Sequence, residues 1–227
     1  MLTLHPSDKR GVTQIDWLDS KHSFSFGNFY DPKRMGFRGL RVINEDIVAP
    51  GAGFPPHGHR DMEIITYMIE GALAHKDSLG HGEALHPGEV QVMSAGKGIE
   101  HSEFNASKTD PAHLLQIWIK PQNLYLPPAY AQKKIPANGA LTLAVAPKGA
   151  PLSLNADAKI FTGKLKEGEK TVYDIAKGRG LWVQLARGEM KIDDVILKAG
   201  DGLAVEDEIA ITLTASKDAE FLLFDLA

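Results

Sequence analysis

From about Arg38 onward the chain is written in short alternating or β-branched runs, cut every few residues by Gly, Pro or Asp. Leu40–Val48, Met62–Ile69, Glu89–Met93 and Ala112–Ile119 are the clearest cases. A period of two places alternate side chains on one face of a strand, and long amphipathic helical patterns are scarce. An all-β chain has to protect its sheet edges, and closing or stacking the sheets does so; the pattern therefore predicts a sandwich or a barrel. At 227 residues there is room for one large or two modest units of this kind.

Two units are expected. Pro121, Pro127, Pro128, Pro136 and Gly139 interrupt regular structure across Pro121–Gly139. Strand-like runs then resume at Leu141–Val145, Ala158–Lys164, Leu181–Ala186, Met190–Ile196, Gly202–Val205, Ile209–Thr214 and Phe221–Leu226. The division predicted is 1–130 for an N-terminal barrel and 131–227 for a C-terminal one. The halves share a faint pattern, a strand, a Gly turn at Gly71 or Gly188, and a Gly-acid turn at Gly88-Glu89 or Gly200-Asp201. They differ in histidine. All nine histidines lie at or before His113, so only the first half can build a histidine metal site.

Composition narrows the chemistry. Apolar residues at 43% and charged residues at 24% are ordinary for a globular chain. The formal charge of −4 and the lack of a basic block argue against direct nucleic-acid binding. With no cysteine, a transition metal has to be held by nitrogen and oxygen. Met1 to Val12 has no apolar signal-peptide core and no later stretch nears the roughly 20 apolar residues of a membrane span, so no membrane partner and a cytoplasmic location are expected. A monomer is expected as well.

His57-Gly58-His59 places two imidazoles at i and i+2, on one face if the segment is a strand, and His101-Ser102-Glu103 repeats that geometry. Were the two segments neighbouring antiparallel strands, three nitrogens and one carboxylate would meet inside one barrel. Such a set suits iron(II), manganese, nickel, cobalt, copper or zinc better than calcium, and iron is placed first. Gly51, Gly53, Gly58, Gly96 and Gly98 would let the backbone turn tightly there. The predicted metal ligands are His57, His59, His101 and Glu103.

The same residues carry a family resemblance. Gly51, His57-x-His59 and Glu63 resemble the first cupin motif, and Gly88, Ser94, Gly96, His101 and Asn105 the second. More specific are Trp17-Leu18-Asp19-Ser20, His22-Ser23-Phe24-Ser25-Phe26-Gly27, Tyr30-Asp31-Pro32, Gly36-Phe37, Leu40-Arg41-Val42 and Ser94-Ala95-Gly96-x-Gly98-Ile99-x-His101-Ser102-Glu103. Together these resemble the pirin family, in particular its bacterial quercetinase-like branch. The resemblance runs from about Trp17 to Pro121 and more weakly through Leu222-Leu223-Phe224-Asp225. It implies an all-β bicupin, two double-stranded β-helix (jelly-roll) barrels packed together, whose N-terminal barrel binds one divalent metal through His57, His59, His101 and Glu103. Ser94 stands where many cupins have proline, and one additional residue precedes His101; both look normal for pirins.

The implied activity is a flavonol 2,3-dioxygenase of the quercetinase type, taking a small aromatic substrate and dioxygen and releasing a depside and carbon monoxide. Glu103 is the expected catalytic base for the flavonol hydroxyl. A metal-dependent regulator or redox sensor with a protein partner, and another cupin oxygenase or isomerase, are the other readings, because one fold hosts many reactions. Glu63 lies past the Arg60-Asp61 interruption, so a structural role is expected, such as a hydrogen bond to a ligand histidine. His75, His81 and His86 are expected in a solvated hairpin loop, and His22 and His113 in packing or hydrogen bonding.

Overall fold

Gly53 marks a close approach of backbone between two strands of the N-terminal half, where a Cβ would meet the Glu103 carbonyl oxygen. The structure, a computed structural model, describes residues 1–136 and 139–227. The strands of the first part are β1 (Leu2–His5), β2 (Gly11–Ile15), β3 (Leu18–His22), β4 (Leu40–Val48), β5 (Gly53–His59), β6 (Glu63–Glu70), β7 (Leu73–Asp77), β8 (Gly82–Leu85), β9 (Glu89–Ser94), β10 (Ile99–Asn105), β11 (Ala112–Ile119) and β12 (Ala129–Lys134). Those of the second are β13 (Leu141–Val145), β14 (Ala158–Leu165), β15 (Lys170–Asp174), β16 (Gly180–Ile192), β17 (Val195–Lys198), β18 (Gly202–Val205) and β19 (Ala210–Leu226). Among the described residues the helical content is a 3-10 turn at Ser7–Lys9, and no helix is long and apolar enough to cross a membrane.

A seven-stranded sheet, β12-β9-β6-β11-β4-β3-β2, and a four-stranded one, β5-β10-β7-β8, enclose the N-terminal barrel. An eight-stranded sheet with the path β1-β18-β16-β19-β14-β13 forms the second, β15 joining β19 and β17 joining β16. The architecture is all-β, as the sequence predicts. β1 crosses over to pair with β18 of the second sheet, while β12, inside which the expected 130/131 division falls, pairs with β9 of the first.

The halves share one core. A single apolar cluster includes Phe24, Ile65, Val92 and Leu115 from the first half and Trp182, Leu222 and Phe224 from the second. Trp182 is fully buried, with ring contacts to His5 at 4.8 Å, Phe24 at 4.8 Å and Phe37 at 6.0 Å. Burying so large a ring against the N-terminal segment binds the barrels by the hydrophobic effect.

Three differences from the sequence reading have local causes. β12 lies inside the expected break, of which 137–138 fall outside the described residues; it is an edge strand, and Lys133 and Lys134 are the charged residues that edges tolerate. β16 runs through what looks like a turn at Arg187-Gly188, because Gly188 at φ +87° sits at a bulge where a Cβ would come 2.0 Å from the Asp218 carbonyl oxygen. β19 likewise joins two predicted runs into one strand.

Candidate metal centre

β5 and β10 are antiparallel neighbours, with His57 opposite His101 and His59 opposite Ile99. Side chains directly opposite each other leave the same face of a sheet, and His59 shares the face of His57. Three imidazoles therefore gather inside the barrel. Their ring centroids are 4.5 Å apart for His57–His101, 4.8 Å for His57–His59 and 4.9 Å for His59–His101. One nitrogen from each lies within 4.8 Å of the others. A Cβ on Gly53 would sit 2.1 Å from the Glu103 carbonyl oxygen, so the close approach of β5 to β10 beside the register shift between His101 and Glu103 requires glycine.

The rings present lone pairs. His57 Nδ1 donates to the Pro55 carbonyl oxygen at 2.8 Å, which leaves Nε2 free to ligate. His101 is buried with neither ring nitrogen bonded. Burial, then the neighbouring His57 and His59, push the His101 imidazole down to about 3. Burial and His57 bring His59 to about 4. Neutral imidazole is the form that binds metal, and unpartnered buried nitrogen is costly unless something accepts its lone pair. The donor set fits a divalent transition metal.

Glu103, two residues beyond His101 on the same face, is fully buried. Its carboxyl groups with His75 and His101 in a second set spaced within 4.8 Å, not in the set of His57 and His59. Gln116 Nε2 donates to both its oxygens, at 3.2 and 2.9 Å, and Thr66 Oγ1 donates to Gln116 Oε1 at 3.0 Å. Burial raises the Glu103 carboxyl to about 7, assisted by the Asp46 charge and opposed by the Gln116 bonds.

A cavity of about 440 Å³ opens beside these side chains, lined by His57, His59 and Glu103 together with Phe26, Phe54 and Trp118. The lining also holds a polar group: His22 Nδ1 donates to Asn44 Oδ1 at 2.8 Å, and Thr13 Oγ1 donates to His22 Nε2 at 2.9 Å. Its volume falls in the range that holds a small organic ligand, and the mix of aromatic wall and few polar groups is typical of such sites.

The Pirin family profile matches residues 5–119, and the profile described as Quercetinase C-terminal cupin domain matches 143–226. The chain is 44% identical to the protein named quercetin 2,3-dioxygenase of Escherichia coli K12, across 100% of this chain and 99% of that one. The chain belongs to the pirin family. A pirin-like protein of Caulobacter vibrioides is 41% identical across the whole of both chains. The crystal structure of the bacterial pirin YhhW from Escherichia coli in complex with nickel(II) superposes with a TM-score of 0.95 at 44% identity, covering 100% of this chain and 99% of that chain. The two barrels are thus cupins, as the resemblance implied, and a divalent metal accords with the donors described.

Several expectations about single residues change. His75 is not in a solvated loop; it is a buried β7 residue bonded to Asp77, and His75-x-Asp77 is the same alternation on a strand that marked the other pairs. His81 is partly buried and also bonds Asp77, whereas His86 is exposed. Among the described residues Glu63 bonds no histidine. Its Oε2 accepts from Ser94 Oγ at 2.7 Å and from the Asn155 backbone at 3.1 Å, so it ties the second half of the chain to β6. His113 bonds Glu45 at 2.9 Å, in keeping with the hydrogen-bonding role expected. Gln116, Asn44 and Trp118 were missed, because their importance comes from pairing across β11 and β4.

Proposed function

We propose that this chain is a metal-dependent dioxygenase that opens the central ring of a flavonol such as quercetin, with His57, His59, His101 and Glu103 as the metal ligands. The supporting observation is the convergence of three imidazoles on one edge of an aromatic-walled cavity, in a chain 44% identical to a protein named quercetin 2,3-dioxygenase. Bound there, the metal supplies Lewis acidity toward a phenolic oxygen and redox access to dioxygen. Iron is the first choice and nickel, manganese, cobalt, copper or zinc the alternatives, since nitrogen and oxygen donors accept them all.

The protein's part is to bind, orient and move one proton. Trp118, Phe26 and Phe54 offer flat apolar surface to a planar aromatic substrate and keep water from its heterocycle. His22 and Asn44 face the substrate's remaining hydroxyls. Glu103 takes the proton of the hydroxyl nearest the metal, and the Gln116 amide holds the carboxyl in place for it. A carboxyl poised near neutrality can both accept that proton and return it to the departing product. The substrate and dioxygen are the partners in this reading, with the protein acting as a cytoplasmic monomer.

The test is loss of the flavonol's visible absorbance by purified protein. Dependence on both dioxygen and metal, with carbon monoxide released, supports the reading. Metal-loaded protein that leaves a flavonol panel untouched overturns it.

A further inference from the structure

β7 flanks β10 on the side away from β5, placing His75 opposite Glu103 and Asp77 opposite His101. Both β7 side chains are wholly enclosed. His75 Nε2 donates to Asp77 Oδ2 at 3.1 Å, and Nδ1 is buried without a partner. An imidazole tied to a carboxylate in this way has its tautomer fixed, with hydrogen on Nε2 and the lone pair on Nδ1. Asp77 is itself anchored, since its Oδ1 accepts the backbone N–H groups of Leu79 at 2.9 Å and His81 at 3.1 Å. Tyr130 stacks on His75 with centroids 4.5 Å apart and planes 21° from parallel, so the ring plane is held as well.

This rigid group lies behind the site. His75, Asp77 and Tyr130 are not among the residues lining the 440 Å³ cavity, yet a ring nitrogen of His75 lies within 4.8 Å of donor atoms of both His101 and Glu103. His101 has two unpartnered nitrogens, and an ion can take only one of them. Metal-bound histidines commonly donate their second N–H to an acceptor that fixes ring orientation. Two hydrogen bonds of about 2.8 Å meeting at one water reach across a separation near the upper end of that range.

We propose that Asp77 and His75 brace the metal centre from behind: Asp77 locks the His75 ring, and His75 Nδ1 accepts, through one bridging water, the N–H of the His101 nitrogen that does not ligate. His75 is a positioning residue and stays off the ion. The inference rests on the metal-centre reading, and the controls separate the two.

The experiment is Ni(II) binding by chelator competition, with the d–d absorption bands of the loaded protein, for wild type, His75→Phe, His75→Gln, Asp77→Asn and His57→Ala. Phenylalanine keeps the stacking on Tyr130 and removes the acceptor; glutamine restores an acceptor; Asp77→Asn keeps the shape and frees the tautomer. His75→Phe and Asp77→Asn are expected to bind one Ni(II) about 10–100-fold more weakly with shifted bands. His75→Gln is expected to recover part of the affinity, and His57→Ala to lose tight binding. Unchanged affinity and bands in both His75→Phe and Asp77→Asn overturn the brace. So does an emptied site in His75→Phe with metal retained in His57→Ala, which makes His75 a ligand. If wild type takes up no Ni(II), the metal-centre reading itself falls. Should His75→Phe fail to fold, the Asp77→Asn comparison decides alone.

Discussion

His57 and His101 stand directly opposite each other across the β5–β10 pair, with ring centroids 4.5 Å apart. They are far apart in sequence, and it is strand register that joins them. A slip by one residue would turn one of the pair to the other face of the sheet, so the register that builds the barrel also builds the site.

Glu103→Gln keeps the size of the side chain and removes its charge. Turnover of a flavonol is expected to fall about 10²–10⁴-fold, the usual loss when a general base is removed, while metal content falls far less. Measuring kcat and metal on the same preparation separates the roles. An equal loss of both would mean that Glu103 acts through ligation alone.

Glu103 also gives the metal-free protein a pH signature. Burial lifts its carboxyl from 4.5 to about 7 in the folded state. Between those values the folded protein keeps a proton that the unfolded chain has released. The associated stability is present in full below 4.5 and is lost as pH rises through 7. Relative to Glu103→Gln, metal-free wild type is therefore expected to lose on the order of 3 kcal/mol over that range. The lowered His59 and His101 act in the opposite sense, losing stability as pH falls below 6.5, and they cancel in the comparison. Urea unfolding of both proteins from pH 4.5 to 7.5 reads the difference; parallel curves would show that Glu103 titrates normally.

Trp182 joins the second barrel to Phe24 and Phe37 of the first. Trp182→Ala is expected to cost about 3–5 kcal/mol by leaving a cavity in the shared core. Chemical denaturation measures it, and a loss below 1 kcal/mol would show that the barrels do not depend on this contact.

Much of this was legible in the sequence, for reasons that also explain the omissions. The i, i+2 pairs His57/His59 and His101/Glu103 could be read because the period of a strand is local. β4, β6, β9 and β11 could be read because their β-branched and apolar residues recur along each run. His75 was misplaced because short polar β7, with Lys76 and Asp77, has the composition of a loop; only its pairing with β10 makes it interior. β5 was hard to see as a strand with Pro55 and Pro56 in it, residues that lack a ladder N–H. Gln116 and Asn44 sit on strands that were recognised, yet nothing in their own segments shows that they reach Glu103 and His22.

The most direct measurement is elemental analysis of the protein purified without added metal, run beside the His101→Ala variant with circular dichroism to confirm its fold. Near one transition-metal ion per chain in wild type, and almost none in a folded His101→Ala protein, is the expected result. Metal retained by that variant, or its absence from both proteins even after loading, would refute ligation by these histidines.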